Sequence, residues 1–333
     1  MKFLSDKAIE RLRGSSVPDF SGTRYELREL IARGGMGVVY AAEDEKLHRR
    51  VALKVLDTAD ASAELTQRLI REARILAQLE HPGIVPVHDV GTLPDGRVFY
   101  TMKFVEGLRL DQYLQQVDSL PQRLRLFLRI CDAVAFAHAR GVLHRDLKPA
   151  NIMVGSFGEV LVMDWGLAKI VQEQAAADET VLASSKKENP GNEDTQSTVV
   201  TGHGTVMGTP GYMSPEQGRG ETEKVDARSD VFSLGALLKF VSTNSPEGKG
   251  EKLPRPLQAI CAKATAERPD ARYENVQELA ADLSRYLDGL PVSAYSENAL
   301  EKAGRFYKRY QVAILLITAY LVMRFLVLYF FHR

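Results

Sequence analysis

Residues 144–151 read His-Arg-Asp-Leu-Lys-Pro-Ala-Asn, and Asp164-Trp165-Gly166 follows thirteen residues later. Asp146 stands two residues before Lys148 and five before Asn151, and it can accept the proton of a hydroxyl group. The second aspartate, Asp164, follows Asn151 by thirteen residues, a separation that a β-hairpin can span. This spacing is a layout for holding a metal ion next to a group that accepts a hydroxyl proton.

The two stretches match the motif H-R-D-L-x-x-x-N followed by a D-F-G-like triplet, so the chain resembles the protein kinase family. The dipeptide Lys148-Pro149 resembles the sequence at this position in the serine/threonine branch of the family rather than in the tyrosine branch. The resemblance covers residues 25–289 and is closest to bacterial Hanks-type (eukaryotic-like) serine/threonine kinases with C-terminal membrane anchors. It implies an α+β, bilobal protein-kinase-like fold, with a small antiparallel β lobe carrying one helix and a larger, mostly helical lobe.

The resemblance also implies roles for the motif residues. Asp146 is expected to act as the base or to orient the acceptor hydroxyl, and Lys148 to support the transferred phosphoryl group. Asn151 and Asp164 are expected to hold Mg²⁺ or Mn²⁺ through oxygen ligands. Because phosphoryl transfer has a loose transition state, positioning and charge neutralisation would do most of the catalytic work.

A glycine-rich turn is the candidate phosphate loop, because glycines let backbone N–H groups approach phosphate oxygens. Such a turn alone is weak evidence, but Val51-Ala52-Leu53-Lys54 follows it at the distance typical of V-A-I-K. Lys54 is expected to pair with the α- and β-phosphates and with Glu72 on the following helix. Met102 stands at the gatekeeper position. The expected nucleotide contacts, with the last three enclosing the adenine, are Ile31, Gly34, Gly35, Gly37, Lys54, Glu72, Val39, Ala52 and Met153.

Three features depart from the family pattern. Ala32 replaces the first glycine of the loop, and a modest effect on nucleotide affinity is expected because alanine fits where φ stays negative. Trp165 replaces the usual phenylalanine and is expected to pack near Leu76 and His144. Residues 239–256 lead directly to the next predicted helix, whereas the family has another helix and a long connection in this part of the chain. An effect on the docking of protein substrates is therefore expected.

Residues 208–216 resemble the substrate-docking end of an activation segment, with Ser-Pro-Glu in place of Ala-Pro-Glu. In the family the glutamate of this motif, here Glu216, pairs with an arginine, and Arg272 fits that arginine. Asp230 matches a family residue that holds the backbone of the catalytic loop, here residues 144–151. In the family, an arginine at the position of Arg145 is typical of kinases that become active when a phosphate in the activation segment binds to an arginine cluster. The candidate acceptors, unless they are ordinary loop hydroxyls, are Thr201 and Thr205, followed by Thr195, Ser197 and Thr198. Residues 172–198 are polar and predict an inserted, disordered loop.

Hydrophobic periodicity divides the chain into regions. Alternating patterns predict strands within residues 25–56, 84–91 and 97–104, and a three- to four-residue period predicts a helix over 63–79. Further helices are predicted at 121–140, 227–242, 257–266 and 275–288, and short strands at 142–143, 152–154 and 160–163. The predicted organisation is a lead-in (1–24), a small lobe (25–107), a large lobe (108–289), a juxtamembrane segment (290–311) and a transmembrane helix (312–331).

Composition limits the function classes. The formal net charge is zero, so the basic excess that a nucleic-acid partner would require is missing. The chain is 45% hydrophobic and 26% charged, which is sufficient for a packed core. Cys131 and Cys261 lie far apart in apolar helical patterns, which favours small buried side chains over a disulfide or a metal site.

The last part of the chain has the composition of a membrane span. Residues 312–331 read VAILLITAYLVMRFLVLYFF, with Arg324 as the one charged residue. A helix of this length, rising about 1.5 Å per residue, crosses a bilayer core of about 30 Å. The preceding cluster of Lys302, Arg305, Lys308 and Arg309 places the bulk of the chain in the cytoplasm, at the inner membrane. Arg324 costs about 2.5–3.5 kcal/mol, which the apolar residues outweigh. An interfacial helix and a helix packed on a partner are the alternatives.

Together these features predict an active, membrane-anchored, ATP-dependent serine/threonine protein kinase that acts on protein hydroxyls, including its own. One alternative is a pseudokinase acting as a nucleotide-binding scaffold, which Ala32, Trp165 and the shortened large lobe favour. Another is a small-molecule kinase, which residues 208–216 disfavour because they suit protein substrates. The expected partners are protein substrates and the membrane. Two residues follow the predicted span, so sensing is expected through partners, through the inserted loop or through a homodimer.

Overall fold

The structure follows the hydrophobic patterns of the chain. The computed structural model describes residues 18–34, 37–56, 63–165, 169–170, 211–243 and 253–331. The predicted inserted loop, the candidate phosphate acceptors from Thr195 to Thr205, Gly35 and most of the lead-in therefore lie outside the described residues.

The first part of the chain forms an antiparallel sheet with one helix against it. The elements are β1 (Tyr25–Gly34), β2 (Gly37–Asp44), β3 (Arg49–Val55), α1 (Ala63–Gln78), β4 (Val87–Thr92) and β5 (Val98–Lys103). The strand order in the sheet is β1-β2-β3-β5-β4. Successive side chains of a strand point to opposite faces, and β3 shows this clearly. Ala52 joins the main core with α1, whereas Leu53 joins a second core with Phe20 and Phe99.

The second part is mostly helical. Its strands are β6 (Gly107–Arg109), β7 (Val142–Leu143), β8 (Ile152–Gly155), β9 (Val160–Val162) and β10 (Lys169–Ile170). Its helices are α2 (Leu110–Tyr113), α3 (Leu120–Ala139), α4 (Pro215–Gly218), α5 (Ala227–Thr243), α6 (Arg255–Ala264), α7 (Val276–Leu287) and α8 (Ala299–Phe331). Short 3₁₀ turns cover Leu114–Gln116, Pro149–Asn151, Thr222–Lys224 and Pro269–Ala271.

Helix α3 is the centre of the larger lobe, since it packs against β9, α5 and α7. Its inward side chains are buried, among them Phe127 and Ile130. The helix ends where Gly141 takes a φ of 72°, a left-handed conformation that glycine adopts without steric cost. The chain then turns back as β7 into the loop at 144–151, so the end of α3 positions that loop.

The predicted α+β arrangement of an antiparallel small lobe and a helical large lobe is confirmed. The strand predicted at 84–91 begins at Val87 instead, because Pro86 has no N–H for a strand ladder, and Ile84 makes an isolated bridge to Val162. The strand predicted at 160–163 ends at Val162. Residues 244–252, within the stretch predicted to be shortened, lie outside the described residues, and α6 packs directly on α5.

Helix α8 begins at Ala299, inside the segment predicted as juxtamembrane, and is interrupted at Tyr310, where φ is −108° and ψ is 15°. Its section Tyr310–Phe330 has 21 residues and a mean hydropathy of 2.3, and none of its most apolar stretch is buried in the protein. By length and composition this section could cross a membrane.

Candidate active site

The glycine-rich turn lies where β1 and β2 meet. Gly34 and Gly37 are partners at the end of this antiparallel pair, and Ile31 precedes them with its side chain exposed. Gly37 has a φ of 149°, and a Cβ atom there would collide with the carbonyl oxygen of Val55. This backbone position therefore requires glycine, because any side chain would meet the neighbouring strand.

The predicted adenine contacts come from both lobes. Ala52 of β3 is the strand partner of Met102 in β5, and both side chains are buried. Val39 of β2 is the partner of Lys54 and packs on the main core. Met153 belongs to β8 in the larger lobe. A ligand that touched all of these side chains would therefore lie between the two lobes.

Lys54, Glu72 and Asp164 form a cluster of charges. Nζ of Lys54 lies 2.8 and 3.1 Å from the two carboxylate oxygens of Glu72 and 3.3 Å from Oδ1 of Asp164. Burial opposes the charge of Lys54, but the carboxylates outweigh burial and raise the pKa of the ammonium. Burial likewise opposes ionisation of Asp164, yet Lys54 holds the pKa of that carboxyl below its usual value. The structure thus brings together the predicted lysine–glutamate pair and a predicted metal ligand.

Tyr100 is a member of this cluster that sequence reasoning missed. Its hydroxyl donates a hydrogen bond to Oε1 of Glu72 at 2.8 Å, and both side chains are buried. Tyr100 lies in β5, within the apolar run Val-Phe-Tyr-Thr-Met, where an aromatic residue predicts core packing. Only the strand register, which makes Tyr100 the partner of Lys54, would have indicated the contact.

The loop at 144–151 concentrates polar groups on Asp146. Nζ of Lys148 lies 2.6 Å from Oδ2 of Asp146, and Nδ2 of Asn151 lies 3.1 Å from the same oxygen. Nδ2 of Asn151 also donates to the backbone carbonyl of Asp146 at 2.8 Å. The predicted catalytic residues Asp146 and Lys148 are therefore in direct contact, and Asn151 binds the same carboxylate oxygen.

The backbone of this loop is held by Asp230 at the start of α5. Oδ2 of Asp230 accepts from the N–H of His144 and Oδ1 from the N–H of Arg145, both at 2.8 Å. Nε2 of His138 lies 2.8 Å from Oδ2. Burial opposes the charge of Asp230, but the contacts with His138 and with the loop keep the pKa of the carboxyl low. Arg145 has a φ of 69°, and these bonds hold its backbone in that left-handed conformation.

The two predicted metal ligands suit a divalent cation. The N–H of Met163 donates to the carbonyl of Asn151 at 2.8 Å, so the backbone joins the segment before Asp164 to the catalytic loop. Because the amide nitrogen of Asn151 is engaged with Asp146, the amide oxygen is the atom that could bind a cation. Within the described residues no three His, Cys, Asp or Glu side chains could form a metal site. A carboxylate and an amide oxygen completed by phosphate oxygens and water are the ligand set that Mg²⁺ commonly uses.

Trp165 fills a site under the catalytic loop. Its side chain is buried, and its ring centroid lies 4.6 Å from that of His144. The indole N–H donates to the carbonyl of Val162 at 3.3 Å, a bond that phenylalanine could not make. Asp164, the preceding residue, has a φ of 56°. The tryptophan therefore adds a polar anchor next to a strained backbone position.

Glu216 of α4 and Arg272 form a buried, bidentate ion pair. Nη1 and Nη2 of Arg272 lie 2.7 and 2.8 Å from Oε1 and Oε2 of Glu216, and the hydroxyl of Ser229 donates to Oε1 at 2.6 Å. Burial opposes ionisation, but these bonds lower the pKa of Glu216 to about 2. In addition, Gln217 donates to the carbonyl of Arg145 at 2.8 Å, a contact that sequence reasoning missed.

The fold and the site together define a protein kinase domain. The chain matches the protein kinase domain family over residues 25–290 and belongs to that family. It is 36% identical to the serine/threonine-protein kinase PknD of Chlamydia trachomatis serovar D, over 88% of this chain and 34% of that protein. It is 33% identical to PknD of Protochlamydia amoebophila, over 80% of this chain and 30% of that protein. The chain thus spans about a third of the length of these relatives. The crystal structure of the Mycobacterium tuberculosis PknI kinase domain shows the same fold, with a TM-score of 0.55, 24% identity and coverage of 79% and 95% of the two chains.

Proposed function

We propose that the chain is an ATP-dependent serine/threonine protein kinase that transfers the γ-phosphoryl group of ATP to hydroxyls of proteins, including its own. The observation that carries this proposal is the convergence of two networks, Lys54–Glu72–Asp164 and Lys148–Asp146–Asn151, at one site between the lobes. The names of the PknD relatives support the serine/threonine class. We assign the kinase domain to residues 25–289.

The protein kinase family uses ATP and a divalent metal, and we propose Mg²⁺ or Mn²⁺ at Asn151 and Asp164. The bound cation would neutralise charge on the phosphates. Asp146 orients the acceptor hydroxyl and takes its proton as the oxygen bonds to the γ-phosphorus and ADP leaves. Lys148, which contacts Asp146, adds positive charge beside the transferred group. Lys54 aligns the α- and β-phosphates and is itself held by Glu72.

Arg145 supports regulation by phosphorylation of the activation segment. Its Nε and Nη2 atoms are buried and have no hydrogen-bond partner among the described residues. Burial lowers the pKa of the guanidinium, although the charge of Asp230 opposes this effect. A phosphate on Thr201 or Thr205 would supply about two negative charges and strong acceptors for this guanidinium.

The proposed activity is tested with the chain of residues 1–333 in detergent micelles. The chain is incubated with ATP and MgCl₂, beside an Asp146→Asn variant, and phosphates are mapped by mass spectrometry. Phosphothreonine or phosphoserine between residues 195 and 205, missing in the variant, is the expected result. ATP binding without phosphate on the chain or on a generic protein acceptor would refute a kinase activity and leave a nucleotide-binding scaffold.

We further propose that α8 anchors the chain in the inner membrane with the kinase domain in the cytoplasm. The support is the exposed apolar section Tyr310–Phe330, preceded by the basic residues Lys302 and Arg305. In bacterial membrane vesicles the chain should resist carbonate extraction, and a variant ending at residue 298 should not. Extraction of both chains alike would contradict a membrane span.

A further inference from the structure

The carboxylate of Glu72 receives hydrogen bonds from two strands of the sheet. Lys54 of β3 donates at 2.8 and 3.1 Å, and the hydroxyl of Tyr100 in β5 donates to Oε1 at 2.8 Å. Tyr100 and Glu72 are each 2% exposed, so water does not compete for these bonds. Glu72 therefore connects helix α1 to two neighbouring strands of the sheet.

The strand register explains why the tyrosine reaches this carboxylate. Tyr100 is the direct cross-strand partner of Lys54, and directly opposed residues present their side chains on the same face of a sheet. The ammonium of Lys54 also lies 5.9 Å from the centre of the Tyr100 ring, within the range of a cation–π contact. Tyr100 thus contacts both members of the ion pair, the carboxylate through its hydroxyl and the ammonium through its ring.

The Tyr100 hydroxyl donates its hydrogen bond to Glu72 and does not share it with a nucleotide. Burial, and then the charge of Glu72, raise the pKa of Tyr100 well above its usual value, so the group stays protonated and neutral at any working pH. A lysine that serves nucleotide phosphates shares its donors between them and Glu72. The bond from Tyr100 does not depend on where the donors of Lys54 point, so it can keep Glu72 in place while Lys54 contacts a nucleotide.

We propose that Tyr100 is a positioning residue for phosphoryl transfer, which holds Glu72 and helix α1 so that Lys54 stays aimed at the nucleotide phosphates. This inference rests on the proposed kinase function, because it concerns the same site. Tyr100 acts through Glu72 and Lys54 and need not touch the substrate itself.

The substitution Tyr100→Phe separates this role from core packing, because it keeps the ring and removes only the hydroxyl. Loss of one hydrogen bond to a charged group predicts a fall in kcat/KM for ATP of about tenfold to a hundredfold. The KM for the protein acceptor should not change. If Tyr100 only fills the core, Tyr100→Phe should leave both the kcat/KM for ATP and the KM for the protein acceptor unchanged.

Tyr25→Phe is the matched control. Tyr25 is also buried in this sheet, but it belongs to the second core on the opposite face, and its hydroxyl donates to Asp89 at 2.9 Å. The control should lose some thermal stability and keep its kcat/KM for ATP. A second comparison uses Glu72→Gln, in which Tyr100→Phe should add less than about a twofold loss because the charged acceptor is gone.

The experiment uses the chain of residues 1–333 in detergent micelles, with steady-state kinetics at varied ATP concentration and calorimetric titration of ATP in the presence of MgCl₂. Kinetics and ATP affinity of Tyr100→Phe within twofold of the wild type would overturn the inference. So would an equal loss of activity in Tyr25→Phe, or the same fold-loss from Tyr100→Phe with and without Glu72→Gln. A wild-type chain that binds ATP and transfers no phosphate refutes the kinase function alone, and ATP affinity then decides the role of Tyr100. A wild-type chain that neither binds nor transfers overturns both.

Discussion

The ion pair of Glu216 and Arg272 offers the sharpest test of how the large lobe is held together. All five N–H donors of Arg272 are used, two on Glu216 and three on the carbonyls of Ala266, Arg228 and Glu267. Both side chains are almost fully buried. Arg272→Met keeps much of the side-chain volume and leaves the carboxylate of Glu216 with the Ser229 hydroxyl as its one remaining side-chain donor among the contacts described above.

The expected cost follows from removing one partner of a buried pair. An uncompensated buried charge lowers the free energy of unfolding by about 3–5 kcal/mol, a large part of the roughly 5–15 kcal/mol that a domain possesses. The double variant Glu216→Leu/Arg272→Met should recover part of this loss, because it removes both charges and leaves apolar groups of similar size.

The assay is denaturant unfolding of the chain of residues 1–333 in detergent, monitored by tryptophan fluorescence. Trp165 is the single tryptophan of the chain and is fully buried, so its emission reports the unfolding of the site directly. Arg272→Lys serves as a control that keeps the charge and loses the bidentate geometry. If Glu216→Leu and Arg272→Met each cost less than about 1 kcal/mol and their costs add without coupling, the ion pair does not hold the lobe together.

The same pair predicts a pH dependence. The pKa of Glu216 is about 2 in the folded protein against a usual 4.5, so ionised Glu216 stabilises the fold above pH 4.5. This contribution, about 3 kcal/mol from the difference of the two pKa values, is lost as the pH falls from 4.5 towards 2. The stability difference between wild type and Glu216→Gln should therefore shrink over this range. A constant difference would show that Glu216 has an ordinary pKa.

Three further substitutions probe single contacts. Gly37→Ala should raise the KM for ATP several-fold and cost more than about 1 kcal/mol, because its φ is positive and a Cβ would meet the carbonyl of Val55; an unchanged KM would contradict this. Asp230→Asn should lower kcat about tenfold or more, since one charged acceptor for two loop N–H groups is lost, and initial rates measure it. Trp165→Phe should cost about 1 kcal/mol in thermal unfolding followed by circular dichroism, through loss of the bond to Val162; equal melting would exclude that contribution.

Local spacing in the sequence was sufficient to find the core of the candidate site. Lys54, Asp146 and Asn151 occur in short motifs whose chemistry depends on neighbours a few residues away, and hydrophobic periods located the strands and helices that carry them. Glu216 and Arg272 are 56 residues apart and were paired only through the family resemblance. No local pattern in the chain would have joined them.

Contacts set by tertiary packing escaped sequence reasoning. Tyr100 lies in an apolar strand, and its bond to Glu72 depends on a register that the alternation of residues does not encode. The early start of α8 was missed as well, because polar residues there hide the helical period. The structure shows that ion pairs support this turn, from Arg255 to Glu301 at 3.4 Å and from Arg305 to Glu297 at 2.8 Å.

Kinase activity is measured most directly as the steady-state rate of phosphoryl transfer from ATP to a generic protein acceptor, compared between the wild-type chain of residues 1–333 and its Asp146→Asn variant. We expect phosphoserine and phosphothreonine on the acceptor, and a fall in kcat of about a hundredfold to ten-thousandfold in the variant, because a positioned base contributes about that much. Equal rates in the two chains would show that Asp146 is not catalytic, and no transfer by a wild type that binds ATP would show that the chain is not a kinase.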